Sequence, residues 1–107
     1  MEIEQYSMAM VLHKTNNSSQ IKKARACVII SPDEMNKNLA SVIIAPTTSN
    51  TNEYPSRVRV NYDGNELMIV LDQIQTISKS RIIKIFPKLS DKEIILCKEV
   101  IKESFVD

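Results

Sequence analysis

Apolar residues along this chain fall into short runs separated by polar loops. Runs of about four to eight residues rich in Val and Ile, bounded by Pro, Gly, Asn or Ser, are typical of β-strands. Proline lacks the N–H that a strand ladder needs, so Pro46 is predicted to end the third strand. Residues 32–35 are predicted to form one helical turn. We predict six or seven strands, at residues 6–13, 24–30, 39–45, 57–61, 66–71, 73–77 and 82–86.

The fourth and fifth predicted strands carry the clearest local signals. Residues 57–61 alternate with a period of two, which places Val58 and Val60 on one side and Arg57 and Arg59 on the other. The only glycine of the chain lies in the sequence Asp-Gly-Asn at residues 63–65, which predicts a hairpin turn.

One helix is predicted over residues 89–105. Ser90 stands three residues before Glu93, the spacing of a capping box at a helix N-terminus. Apolar residues recur at helical spacing and form one stripe, which consists of Ile94, Cys97, Ile101 and Phe105. The sequence therefore predicts a single domain, residues 1–107, that is mainly β with a C-terminal helix (α+β). Short strands and long loops favour a small, strongly curved antiparallel sheet or barrel.

Charge is segregated although the net charge is only +1. Four bases and no acid lie between Glu4 and Asp33, and four bases and no acid lie between Asp72 and Asp91. Charge clusters are commonly solvated faces. If these segments converge in the fold, they form an anion-binding face suited to nucleic acid.

Several functional classes are not supported by the composition. No apolar run is long enough to cross a bilayer, and the acidic start of the chain is unlike a signal peptide, so we expect a cytoplasmic protein with no membrane partner. A single histidine, His13, and two cysteines without motif spacing predict no metal site and no cofactor. Cys27 and Cys97 lie in apolar contexts and are expected to be reduced and buried.

Polar residues at the ends of predicted strands are the remaining candidates for chemistry. Arg25 opens the second strand between two alanines, where it either faces a cleft or reaches solvent. Thr47 and Thr48 follow the third strand, and Asp72 follows the fifth. Taken alone, the two threonines and Asp72 are consistent with structural turns.

Taken together, these residues lie in four ordered blocks that resemble MazF/PemK-like (Kid-like) toxins over residues 6–105. Residues 25–36 (RACVIISPDEMN) are similar to the family block RPxVVxSPDxxN, and residues 42–48 (VIIAPTT) to VxVxPxT. Residues 54–58 (YPSRV) are similar to YPTxV, and residues 70–81 (VLDQIQTISKSR) to VLDQIRTVDKxR.

The resemblance implies an SH3-like barrel that forms a homodimer and acts as the toxin of a type II toxin–antitoxin system. It implies a sequence-specific, metal-independent endoribonuclease that cuts single-stranded mRNA in a groove, which the cognate antitoxin can also occupy. The family's catalytic arginine and threonine map onto Arg25 and Thr48. They would act on a 2′-hydroxyl attack that yields a 2′,3′-cyclic phosphate and a 5′-hydroxyl.

The chain departs from the family pattern around the arginine. Gln20 stands where many relatives carry Glu, and an amide cannot serve as a general base. Ala24 replaces a His or Thr before the arginine, and Ala26 replaces a Pro after it. The identity of the general base therefore stays undecided, and Asp72 is the fallback candidate. The least family-like loops are predicted to select the RNA sequence, and Tyr54 either stacks a base or packs under its own loop. The predicted RNA-binding residues are Lys14, Asn16, Asn17, Lys22, Lys23, Thr47, Asn50, Asn52, Tyr54 and Arg57.

Two alternatives stay open at this point. The altered positions suit a catalytically weakened member that binds RNA or antitoxin without cutting. The second alternative is a gyrase-poison-like toxin of related fold, because fold alone does not assign function.

Overall fold

The computed structural model describes residues 2–12 and 24–105, which form a mainly β half-barrel with a C-terminal helix. All seven predicted strands are present, with ends shifted by up to three residues. The strands are β1 (Ser7–Leu12), β2 (Ala24–Ile29), β3 (Ser41–Thr48), β4 (Arg57–Tyr62), β5 (Asn65–Val70), β6 (Gln75–Ser78) and β7 (Ile82–Lys88). The helices are α1 (Asp33–Asn38) and α2 (Asp91–Phe105), and 3₁₀ turns lie at Leu71–Gln73 and Lys79–Arg81.

The strands of the described residues form an antiparallel sheet in the order β4-β5-β3-β2-β1-β7. β3 is the central element, because it pairs with β2 along one side and with two partners along the other. Residues Ser41–Ile44 of β3 pair with β6, and Thr47 and Thr48 pair with β5. Through this change of partner, the end of β3 lies between β2 and β5.

Side chains of β2 and β3 alternate between two cores. Val28 and Ala45 belong to the core that lies under α2, where Cys97 of the helix is fully buried. Cys27, Ile29 and their neighbours on β3 face the opposite way, into a second core built with β1 and β7. No helix among the described residues is long and apolar enough to cross a membrane.

The predicted capping box at the start of α2 is confirmed. Glu93 Oε1 accepts hydrogen bonds from Ser90 N and Ser90 Oγ at 3.0 and 2.9 Å, and Glu93 N donates back to Ser90 Oγ at 3.2 Å. The predicted hairpin is confirmed too, since Asp63 and Gly64 both have positive φ, 52° and 77°, between the paired residues Tyr62 and Asn65. That geometry matches a type I′ turn.

The prediction that Pro46 ends the third strand is wrong, because β3 continues to Thr48. Pro46 pairs with Cys27 on β2. The Ile30 N–H bonds to the Ile43 oxygen, and the alternation of an antiparallel ladder then directs the Pro46 nitrogen away from β2. On that other side Pro46 falls between the segments paired with β6 and β5, so its missing N–H breaks no ladder.

The SPDEMN sequence at residues 31–36 has a structural explanation. Asn36 Nδ2 donates to the Ser31 backbone oxygen at 2.9 Å, and Ser31 Oγ accepts from Ile43 N at 3.0 Å. Both side chains are buried and bonded, so this turn fixes α1 against β3.

Candidate active site

The register of β2 and β3 places Arg25 and Thr48 at facing positions. The pairs Ile29–Ile44, Val28–Ala45 and Cys27–Pro46 define that register. Continued by two residues, it sets Ala26 against Thr47 and Arg25 against Thr48. Two residues that are 23 positions apart in the sequence thus come to one end of the ladder.

Side chains link the two strands where the registered pairs end. The Thr47 hydroxyl donates to the Ala26 backbone oxygen at 2.8 Å. Arg25 donates from Nε and Nη2 to the Thr47 backbone oxygen at 3.3 and 3.1 Å. Thr47 is buried, with 5% of its surface exposed, whereas Arg25 is exposed. The guanidinium is therefore fixed on one side, and among the described residues nothing accepts a hydrogen bond from its Nη1, which can serve a ligand.

Thr48 is half-buried and follows directly the residue whose carbonyl holds the guanidinium. Its Oγ1 accepts a hydrogen bond from Asn50 N at 3.2 Å. Because this bond uses a lone pair of the oxygen, the O–H of Thr48 can still donate to an anion.

A row of side chains continues from Arg25 across three more strands on the same face. Thr48 of β3 pairs with Met68 of β5, and Met68 pairs with Arg59 of β4. Cross-strand partners lie on one side of a sheet, so Arg25, Thr48, Met68 and Arg59 form one transverse row. Arginines stand at both of its ends.

A groove opens beside the Arg59 end of the transverse row. It has a volume of about 420 Å³, and we call it the Tyr54 groove; its lining residues are Glu53, Tyr54, Pro55, Arg57, Arg59 and Met68. Tyr54 is 51% exposed, and the Arg57 guanidinium carbon lies 4.5 Å from the centre of its ring. One face of the ring is therefore covered by a cation–π contact.

Arg59 was missed as a site residue by the sequence analysis, although its alternation with Arg57 was a usable signal. It forms ion pairs with Glu53, at 3.1 Å, and with Glu66. Among the described residues, no carboxylate pairs with Arg25 or Arg57, which leaves those two guanidiniums to attract anions.

Arg81 was also missed, and it lies on the other side of Arg25. Its Nε donates to the Leu12 backbone oxygen at 2.9 Å. Arg25, Cys27 and Arg81 line a small depression of about 30 Å³ together with apolar residues and Gln75. The signal in the sequence was the acid-free segment between Asp72 and Asp91.

The cysteines are buried, as predicted, and both are free thiols. Burial raises the pKa of the Cys27 thiol to about 11, although the Arg25 and Arg81 charges act in the opposite direction. Burial and the nearby Glu93 raise the pKa of Cys97 to about 12. Both thiols are therefore protonated at neutral pH and are poor nucleophiles.

Asp72 holds the segment that carries Tyr54. Its Oδ1 accepts a hydrogen bond from Ser56 Oγ at 2.9 Å, and Leu71 N donates to the Ser56 backbone oxygen at 3.1 Å. The carboxylate is exposed in the 3₁₀ turn after β5. Its second oxygen takes no part in the Ser56 bond.

The remaining predicted residues divide between an exposed loop and the undescribed part of the chain. Asn50 and Asn52 are exposed, and Asn50 Oδ1 accepts from Asn52 N at 3.1 Å. The other calls lie outside the described residues: His13, Lys14, Asn16, Asn17, Gln20, Lys22 and Lys23. Within residues 2–12 and 24–105, no three His, Cys, Asp or Glu side chains cluster in a way that could hold a metal ion.

Known families provide an independent comparison. The model of the PemK-like, MazF-like toxins of type II toxin–antitoxin systems matches residues 5–105. The chain therefore belongs to this toxin family. No curated protein sequence matches it.

Solved structures agree on the fold. A MazE–MazF complex from Deinococcus radiodurans matches with a TM-score of 0.82 and 13% identity, covering 96% of this chain and 95% of that one. A mycobacterial endoribonuclease in complex with its cognate antitoxin gives 0.78 and 13%, covering 95% and 93%. Mycobacterium tuberculosis toxin MazF-mt6 gives 0.72 and 20%, covering 91% and 95%. At these identities the likeness concerns the fold alone.

Proposed function

We propose that this toxin is a sequence-specific, metal-independent endoribonuclease of single-stranded RNA, with Arg25 and Thr48 as its catalytic residues. One observation carries the proposal most directly. The β2–β3 register, continued by two residues past the pair Cys27–Pro46, sets Arg25 opposite Thr48, and the Thr47 carbonyl holds the exposed Arg25 side chain.

The chemistry requires donors aimed at a phosphate. In RNA, the 2′-hydroxyl attacks the neighbouring phosphorus and the bond to the 5′-oxygen breaks, which leaves a 2′,3′-cyclic phosphate and a 5′-hydroxyl. Negative charge builds up on the phosphate oxygens in the transition state. Arg25 meets that charge with a permanent cation and a planar set of donors, and the Thr48 hydroxyl adds a third donor.

Proton transfer is assigned less directly. The 2′-hydroxyl must lose a proton, and Asp72 is our candidate acceptor because one of its carboxylate oxygens is not used by Ser56. Gln20 would support the substrate and not act as a base, since an amide does not titrate in this range.

The RNA path follows the cations of the sheet face. Arg57 and Tyr54 lie next to the transverse row, and Arg81 extends the positive charge beyond Arg25. The proposed RNA contacts comprise Arg81 and the residues predicted from sequence: Lys14, Asn16, Asn17, Lys22, Lys23, Thr47, Asn50, Asn52, Tyr54 and Arg57. Because Thr47 is buried, its part is to position Arg25 through its carbonyl.

We also propose a cognate antitoxin and a homodimer as partners. Two solved structures of the same fold are toxin–antitoxin complexes by name, which supports the first. Exposed apolar side chains on β7 and α2 support the second; they are Ile83, Ile95, Leu96 and Phe105. Sedimentation at micromolar concentration distinguishes a dimer from the 12.2 kDa monomer.

RNA cleavage in EDTA tests the proposal. Wild-type protein should cut a long unstructured RNA at one short sequence, and the ends should be a cyclic phosphate and a 5′-hydroxyl. Arg25→Ala should abolish the cuts, while Lys98→Ala, which removes an exposed charge on α2, should leave them unchanged. If the folded protein cuts none of several varied RNAs, the proposed ribonuclease activity is contradicted. The result would favour a catalytically weakened binding module, an alternative suggested by Gln20 and Ala24.

A further inference from the structure

The Tyr54 groove has the chemistry of a nucleobase site. It combines an exposed aromatic ring, two arginines, a carboxylate and the thioether side chain of Met68. Proteins that bind single-stranded RNA stack unpaired bases on such rings and bond their Watson–Crick edges. The inference that follows concerns which base this groove accepts, and it rests on the proposed ribonuclease function.

Glu53 supplies the selective acceptor of the groove. Its Oε1 accepts from Arg59 Nη2 at 3.1 Å, which orients the carboxylate and leaves its exposed Oε2 available. Arg59 is held in turn by Glu66 through Nη1. The groove therefore presents an exposed carboxylate, oriented by one ion pair, beside a guanidinium whose two terminal nitrogens each donate one hydrogen bond.

We propose that the Tyr54 groove binds a guanine of the RNA, with Glu53 as the residue that determines this specificity. The N1–H and N2–H of guanine are two adjacent donors, which match the two oxygens of one carboxylate. The O6 atom next to them accepts from a remaining Arg59 N–H. Tyr54 stacks on the purine.

The other three bases match the groove less well. Adenine and cytosine each place a single amino donor beside an acceptor on the Watson–Crick edge, and uracil has a single N3–H between two acceptors. Each of them can therefore use one carboxylate oxygen, whereas guanine uses both. A bidentate contact of this kind separates bases by roughly tenfold or more.

The groove is adjacent to the proposed catalytic pair. Met68 lines the groove and is the registered neighbour of Thr48 on the next strand. A base in the groove therefore belongs to a nucleotide close to the phosphate at Thr48. Guanine should occupy a fixed position relative to the cut.

Mapping the cuts in a random-sequence RNA tests the inference. Wild-type protein should show guanine enrichment at one fixed position, and Glu53→Gln, which keeps the shape but only one acceptor, should reduce it by roughly tenfold or more. Glu99→Gln is the matched control, because Glu99 is an exposed carboxylate on α2 that does not line the groove, and it should keep the wild-type enrichment. Cutting without guanine preference, or a preference unchanged in Glu53→Gln, would overturn the assignment.

A binding measurement separates this inference from the proposed function. GMP, AMP, CMP and UMP would be titrated into the protein while NMR follows the Met68 methyl and Tyr54 ring signals. Saturation by GMP at a lower concentration than by the others, lost in Glu53→Gln, supports the guanine site even if no RNA is cut. Equal responses to the four nucleotides would refute it even in an active ribonuclease.

Discussion

The Arg25 guanidinium is bonded to the backbone carbonyl of Thr47, with Nε and Nη2 both donating to one oxygen at 3.3 and 3.1 Å. Thr47 itself is fixed by its hydroxyl, which donates to the Ala26 carbonyl. Ala26, the next residue after Arg25, thus positions Thr47, and Thr47 in turn positions Arg25. This small closed arrangement aims an exposed cation, and it ties the proposed chemistry to the integrity of two strand ends.

Arg25→Lys tests whether the geometry of the guanidinium matters beyond its charge. An ammonium has no planar fork, so it cannot both bond the Thr47 oxygen and present a fixed donor to the phosphate. Single-turnover cleavage should slow on the order of 100- to 1000-fold, while the urea midpoint stays near the wild-type value because the side chain is exposed. Cleavage within a few-fold of wild type would show that charge alone suffices.

Substitution of Thr47 is predicted to lower stability, whereas substitution of Thr48 is predicted to lower the cleavage rate. Thr47→Val removes the donor to the part-buried Ala26 carbonyl oxygen, so the free energy of unfolding should fall by about 1–3 kcal/mol. Thr48→Val removes a half-buried hydroxyl beside the loop and should cost about 1 kcal/mol or less, yet slow cleavage on the order of 100-fold. Chemical denaturation and cleavage rates measure the two effects, and Thr48→Ser should restore activity. If the Thr47→Val variant keeps its stability but cuts RNA slowly, the catalytic role belongs to Thr47 and the assignment to Thr48 is wrong.

Arg57 should contribute to RNA affinity through a phosphate contact. Each phosphate contact on a single strand adds about 0.7 to the slope of log affinity against log salt. We expect Arg57→Ala to lower that slope by about this amount, measured by anisotropy with a 2′-O-methylated RNA that cannot be cut. Lys98→Ala serves as the control and should keep the wild-type slope. An unchanged slope in Arg57→Ala would place Arg57 away from the backbone.

The buried thiols predict a loss of stability at high pH. An ordinary thiol ionises near pH 9, whereas the pKa of folded Cys27 is about 11 and that of Cys97 about 12. The unfolded chain therefore loses these protons first, so the stabilisation is present below about pH 9 and is lost as pH rises through about 11. Urea midpoints between pH 8 and 11 measure the decline, to which Tyr6 adds because burial raises its pKa too.

Thiol labelling checks the same burial by a separate route. At pH 8 a thiol reagent should modify neither cysteine in the folded protein and both in urea. Rapid labelling of the folded protein would contradict the raised pKa values.

The elements of the fold were largely predictable because their signals are local. Period-two alternation in residues 57–61, the Asp63-Gly64 turn and the Ser90–Glu93 capping box each depend on a few consecutive residues. The four family blocks then made Arg25 and Thr48 the candidate catalytic residues. None of these local signals predicts which distant strands pair with each other.

The tertiary structure decided what those residues do together. The register of β2 with β3 sets Arg25 against Thr48, and the pairing of β3 with β5 and of β5 with β4 adds Met68 and Arg59 to the same row. The partner change of β3 also lets Pro46 stay inside a strand, against its local preference. The sequence alone determined the local conformations and the residue types at the strand ends. Only the register, which depends on packing between segments far apart in the chain, decided which of them meet.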